Sequence, residues 1–151
     1  MAQEKSKKRT LTRGERNHNP GNIERNKTKW QGMSEDQSGD SRFVVFSSPV
    51  WGIRALAKTL LTYSNKYAAG TPQDIDTVRE FINRWAPPVE NNTESYINAV
   101  AKALSVEPDE AIDITQPTVL KALVVAIIKH ENGRCMYGDD VITQGVMKAL
   151  N

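Results

Sequence analysis

At 151 residues the chain is sized for one domain with a single core. Its 38% apolar and 25% charged content is ordinary for a globular protein, and a net charge of +2 does not by itself argue for a nucleic-acid partner. The lone cysteine, Cys135, excludes an internal disulfide, and no N-terminal apolar run reads as a signal peptide or membrane span.

Lys5, Lys7, Lys8, Arg9, Arg13 and Arg16 crowd the start of the chain. Residues 1–11 read as a disordered basic arm and 12–151 as the single domain. The run TRGERNHNPGNIE, Thr12 to Glu24, is dense in Asn, Pro and Gly and reads as a turn. Its amides suit sugar hydroxyls and N-acetyl groups, and equally suit a loop that bonds to itself. Trp30 to Met33 and Arg42 to Phe46 are short β segments, and the polar run Ser34 to Ser41 joins them as a small hairpin. Ser47 or Ser48 then caps a helix with Pro49 in its first turn and Trp51, Ala55, Leu56, Leu60 and Tyr63 or Tyr67 on its apolar face.

Asp74 or Asp76 caps the next helix, which carries Ile75, Val78, Phe81, Ile82 and Trp85 inward and stops at Pro87-Pro88. Asn92 or Thr93 starts another, with Tyr96, Ile97, Val100 and Leu104. A linker with a helical turn over Pro108 to Ile112 follows. Pro117 opens the helix ending in KHENG, with Leu120, Leu123, Val124, Ile127 and Ile128 at helical spacing. A last amphipathic helix carries Val141, Ile142, Val146 and Leu150.

Glu131 is the anomaly in this pattern. It lies four residues after Ile127 and three after Ile128, on the apolar stripe. It also sits at a helix C-terminus, where the macrodipole disfavours an anion. Both circumstances suit a general acid. The plain alternative is a helix-end carboxylate paired with Lys129 or Arg134.

No zinc, calcium or phosphate-loop spacing is present, and His18 and His130 are too isolated to argue a metal site. Cys135 near His130 is weak evidence for a thiol nucleophile. What remains is carboxylates beside amides and aromatics, an inventory that suits glycoside chemistry.

The runs RNHNPGNIE, KWQG, FVVFSSPVWGIRALAKTLLTY and NRWAPPVENNTESYINAV, in this order, resemble the core of flagellar-type bacterial glucosaminidases. Together with HENG they are also similar to small phage-encoded lysozyme-like virion or lysis proteins. In those glucosaminidases, and in soluble lytic transglycosylases, the catalytic Glu ends a helix upstream of the Asn loop. Here only a short polar arm precedes that loop, while IIKHENG, Ile127 to Gly133, looks like the missing helix displaced to the other end of the chain. The resemblance therefore implies a circularly permuted arrangement, with Glu131 facing the Asn19 to Asn22 loop across a cleft.

The resulting expectation is a mainly α (α+β) fold, lysozyme-like, with a small β-hairpin. The expected activity is cleavage of the peptidoglycan glycan strand, of muramidase or lytic transglycosylase type. Glu131 would be the general acid and Glu90 the second, ionised carboxyl before a helix N-terminus; Glu15 is the rival acid. Asn19, Asn22, Asn92, Thr93, Tyr96, Trp85 and Trp30 are the candidate sugar contacts, although Tyr96, Trp30 and Trp85 also fit plain core. No metal or organic cofactor is implied. The expected partner is peptidoglycan, with other virion proteins or a holin. Nucleic acid and stable membrane insertion are not expected, and the protein is read as a monomer. The setting would be a phage particle, or a host cytoplasm with release to the periplasm. Two alternatives stay open: a non-catalytic virion structural or glycan-binding protein, and a peptidoglycan amidase or endopeptidase.

Overall fold

Caps decide where the helices of this chain begin. In the computed structural model, which describes residues 10–87 and 92–151, the fold is mainly helical. Thr12 and Glu15 form a reciprocal capping box that starts a one-turn helix, α1, Arg13–Arg16. The reading of Thr12 to Glu24 as turn alone missed this Thr-x-x-Glu signal. Helix α2, Pro49–Lys66, follows Ser48 with Pro49 at its first position. Helix α3, Val78–Trp85, is capped by Thr77 with Glu80 three residues on, not by Asp74 or Asp76. The reciprocal Thr–Glu pair satisfies two orphan N–H groups, more than a lone Asp does.

Asn92 caps α4, Thr93–Leu104, by accepting from the Ser95 amide. Pro108 to Ile112 forms a turn rather than helix, held by one antiparallel bridge between Thr77 and Ala111. Helix α5, Pro117–Asn132, ends at Gly133, whose φ of 76° is the left-handed cap that Gly supplies without strain. Helix α6, Asp139–Leu150, closes the chain.

The expected hairpin segments do meet, through single antiparallel bridges at Met33–Phe46 and Glu24–Phe43. No ladder develops, because side chains take its place. Gln37 accepts from the Val45 amide at 2.9 Å and donates to the Val45 carbonyl at 2.7 Å. Asp40 accepts from the amides of Arg42 and Phe43, each at 2.8 Å. The backbone polar groups are thus paired without a second strand.

The main core joins Leu56 and Leu60 of α2, Phe81 and Ile82 of α3, Ile97 of α4, Leu123 and Ile127 of α5, and Val146 of α6. Each such fully buried side chain contributes about 2 kcal/mol of hydrophobic stabilisation. A smaller cluster of Val44, Phe46 and Ala55, flanked by Ile23, Trp30, Met33 and Trp51, fixes the irregular segment to α2. The approach is close: a Cβ on Gly52 would lie 1.8 Å from the His18 carbonyl oxygen. Among the described residues, no helix is long and apolar enough to cross a membrane. The expected basic arm up to Arg9, and Glu90, lie outside the described residues.

Candidate active site

The C-terminus of α5 is stapled to the Asn-rich loop by its last residue. Asn132 lies four residues after Ile128, so it falls on the buried stripe. Its amide donates to the Pro20 carbonyl at 2.8 Å and accepts from the Thr12 hydroxyl at 2.6 Å. Glu131 stands at the edge of that stripe, half-buried, and turns toward the loop. Its Oε1 accepts from Asn22 Nδ2 at 3.1 Å, and its Oε2 accepts from the Tyr96 hydroxyl at 2.9 Å. Residues far apart in the chain therefore hold both carboxyl oxygens, and each oxygen keeps a lone pair for a ligand.

Tyr96 is itself fixed from two sides. Its ring stacks on His130 with centroids 3.7 Å apart, and its hydroxyl is held by the bond to Glu131. Burial first, and then the neighbouring Glu131 carboxylate, push the phenol far above its ordinary range. It remains a proton-carrying donor at every working pH.

Glu131 borders two depressions. One is a cleft of about 490 Å³ with Asn22, Trp30, Tyr63, Trp85 and Arg42 on its walls. The other, of about 250 Å³, is lined by Asn92, Ser95, Tyr96, His130 and Glu131. Among the described residues, Glu131 alone lines both. A chain-like ligand crossing from one to the other would pass over its carboxyl group.

Glu15 occupies a different place. It is 2% exposed, and Arg134 grips it through two bonds, Nε to Oε2 at 2.9 Å and Nη2 to Oε1 at 2.8 Å. It lines neither depression. Arg134 thus clasps α1 to the end of α5 instead of pairing with Glu131. The Arg134 guanidinium holds the Glu15 carboxyl below its ordinary value of 4.5, against the opposing effect of burial. Asp40 is held still further down, by its bidentate bond to Arg13 and by bonds from Asn17 and the Phe43 amide.

Both folded values lie below the unfolded ones. The stability these groups contribute is therefore full above the unfolded carboxyl value and is lost as pH falls through the depressed folded values. We expect the melting temperature to fall steeply below about pH 4 in the wild type and less steeply in Glu15→Gln. Parallel curves for the two proteins would overturn the assignment of acid sensitivity to this clasp.

The other expected contacts divide clearly. Asn22, Trp30, Trp85, Tyr96 and Asn92 line the two depressions. Asn19 does not reach them: it is fully buried and bonds to Ile23 and to the Val44 carbonyl, so it closes the loop on itself. Thr93 is buried and donates to the Ala86 carbonyl at 2.8 Å, a bond that ties α4 to the end of α3. Glu24, the other carboxylate on the described cleft wall, is paired with Arg42. Gly14 lets these parts converge: a Cβ there would lie 2.8 Å from the Asn19 carbonyl and 2.9 Å from both Asn22 and Asn132 Oδ1. Sequence reasoning missed Asn132 and Gly14 and offered Arg134 to Glu131 where the fold gives it to Glu15, although the Thr-x-x-Glu box pointed to an ordered start for this region.

No protein-family model matches the chain. Over 137 residues it is 39% identical to Protein P5 of Pseudoalteromonas phage PM2, a match covering 88% of this chain and 79% of that protein. At that identity and coverage, the chain belongs to the same family as this bacteriophage protein.

Proposed function

We propose that the protein cleaves the glycan strand of peptidoglycan, with Glu131 as the general acid. The observation that carries this reading is the position of Glu131, held by Asn22 and Tyr96 on the border of two depressions. A sugar in each depression would put the linking oxygen beside the carboxyl. Glu131 gives its proton to that oxygen as the bond to the anomeric carbon breaks, and positive charge develops on the sugar ring.

Among the described residues, Glu131 is the cleft carboxylate outside an ion pair, since Glu24 is engaged by Arg42. One carboxyl can serve both steps if the sugar supplies its own nucleophile. The muramic 6-hydroxyl attacks the anomeric carbon, its proton passes to the Glu131 carboxylate, and a 1,6-anhydro sugar leaves. Hydrolysis is the alternative, with Glu90 activating water. The displaced-helix arrangement fits this reading, because the end of α5 meets the Asn loop from the C-terminal side of the chain. A phage particle or a lysis step is the setting the reading implies, and the phage relative supports it.

Mass spectrometry of fragments released from purified peptidoglycan tests the proposal. The expected products are glycan fragments with anhydro-muramic ends. Reducing ends would assign hydrolysis, and intact strands with cut peptides would replace the glycan reading with an amidase or endopeptidase.

A further inference from the structure

Beside the cleft lies a second groove, of about 570 Å³, which shares Trp30 and Thr59 with it as a common wall. Lys29, Arg54 and Lys58 line this groove, and among the described residues no Asp or Glu does. None of these three cations forms an ion pair among the described residues. The reason is visible in α2, which supplies Arg54 and Lys58. Its 18 residues contain no acidic side chain. Arg54 and Lys58 are four residues apart, so they lie on one helix face, where like charges disfavour each other. The fold keeps this repulsion beside the cleft without a carboxylate to offset it.

We propose that this groove binds the carboxylates of the short peptides that hang from peptidoglycan sugars. The proposal rests on the glycan-strand reading for its substrate and adds the part of that substrate that selects it. A stem peptide leaves the glycan strand sideways and presents free carboxylates, so a cationic groove alongside a sugar cleft is where it would lie. A polyphosphate backbone fits less well. Among the described residues the adjoining cleft wall adds one cation, Arg42, and it is already paired with Glu24, so a phosphate chain continued through the cleft would meet no further free cation. The attraction is between partly exposed charges, so it weakens as salt rises.

Calorimetric binding of a soluble disaccharide-tetrapeptide tests this, using the wild type, Glu131→Gln, and the combined Lys29→Gln, Arg54→Gln, Lys58→Gln variant. The expected result is binding by the first two proteins, about tenfold weaker in the third, the size of two or three exposed ion pairs. Amidating the peptide's carboxylates should weaken wild-type binding to the same extent. Lys29→Gln alone should weaken it by a smaller factor and serves as a control if the triple variant folds poorly. Equal affinity across the variants would overturn the groove, as would displacement of the peptide by a short oligonucleotide or by anionic vesicles. The two readings fail separately. Stem binding without strand cleavage retains the groove and removes the glycosidase, while cleavage that ignores the stem retains the glycosidase and removes the groove.

Discussion

Glu131→Gln is expected to lower glycan-strand cleavage by about a thousandfold, the usual contribution of a positioned general acid. The fold should survive the change. Glutamine keeps an oxygen to accept from Asn22, and the Tyr96 hydroxyl can turn to accept from the new amide, since a hydroxyl both donates and accepts. What is lost is the ionisable proton. Clearing of permeabilised Gram-negative cells, read beside the melting temperature, separates the two effects. Unchanged melting with lost clearing supports the acid. Equal clearing by both proteins would remove Glu131 from the chemistry and favour a non-catalytic binding role for the cleft. Glu15→Gln makes the contrasting case. Glu15 is buried under Arg134 and away from both depressions, so its replacement should act on stability first.

Gly52→Ala is expected to destabilise the protein by about 3 kcal/mol, the upper part of the range for overpacking. In a chain of this size that corresponds to a melting temperature lower by about 10 °C. The added methyl would meet a backbone carbonyl, that of His18, at 1.8 Å, and a backbone atom cannot rotate aside as a side chain can. Relief must come from moving the Asn-rich loop away from α2. That loop carries Asn22, so the Asn22 to Glu131 bond should lengthen with it. Thermal melting measures the first effect. Strand cleavage well below the variant's melting temperature measures the second, and should fall by more than the loss of folded protein explains. A variant as stable as the wild type would show that the loop and α2 do not pack as tightly as described.

Part of this was legible in the residues. The five longer helices follow from apolar spacing punctuated by Pro49, Pro87, Pro117 and Gly133, because period and breaker are local properties. The odd carboxylate at the end of the most apolar helix was also visible, for the same reason. The start of α3 was misplaced because two Asp residues competed with a reciprocal Thr77–Glu80 box that only full accounting of the end N–H groups would rank first. The hairpin lost its ladder because Gln37 and Asp40, distant in neither sequence nor space, took over backbone bonds that strand propensity assigns to a partner strand.

By itself, then, the sequence determined the helices, their order, and Glu131 as the carboxyl to watch. Only the tertiary structure decided what Glu131 faces. Asn22 and Tyr96 lie 109 and 35 residues away from it, and side-chain hydrogen bonds across such separations leave no periodic signal. It also gave two carboxylates different surroundings. Glu15 and Glu131 are both single carboxylates near a helix end, and local pattern favours Glu131 only through the apolar helix that precedes it. Folding brings Arg134 onto one of them and buries it, while it leaves the other at the junction of two depressions. Burial and charge pairing are properties of the assembled surface, which local sequence pattern does not carry.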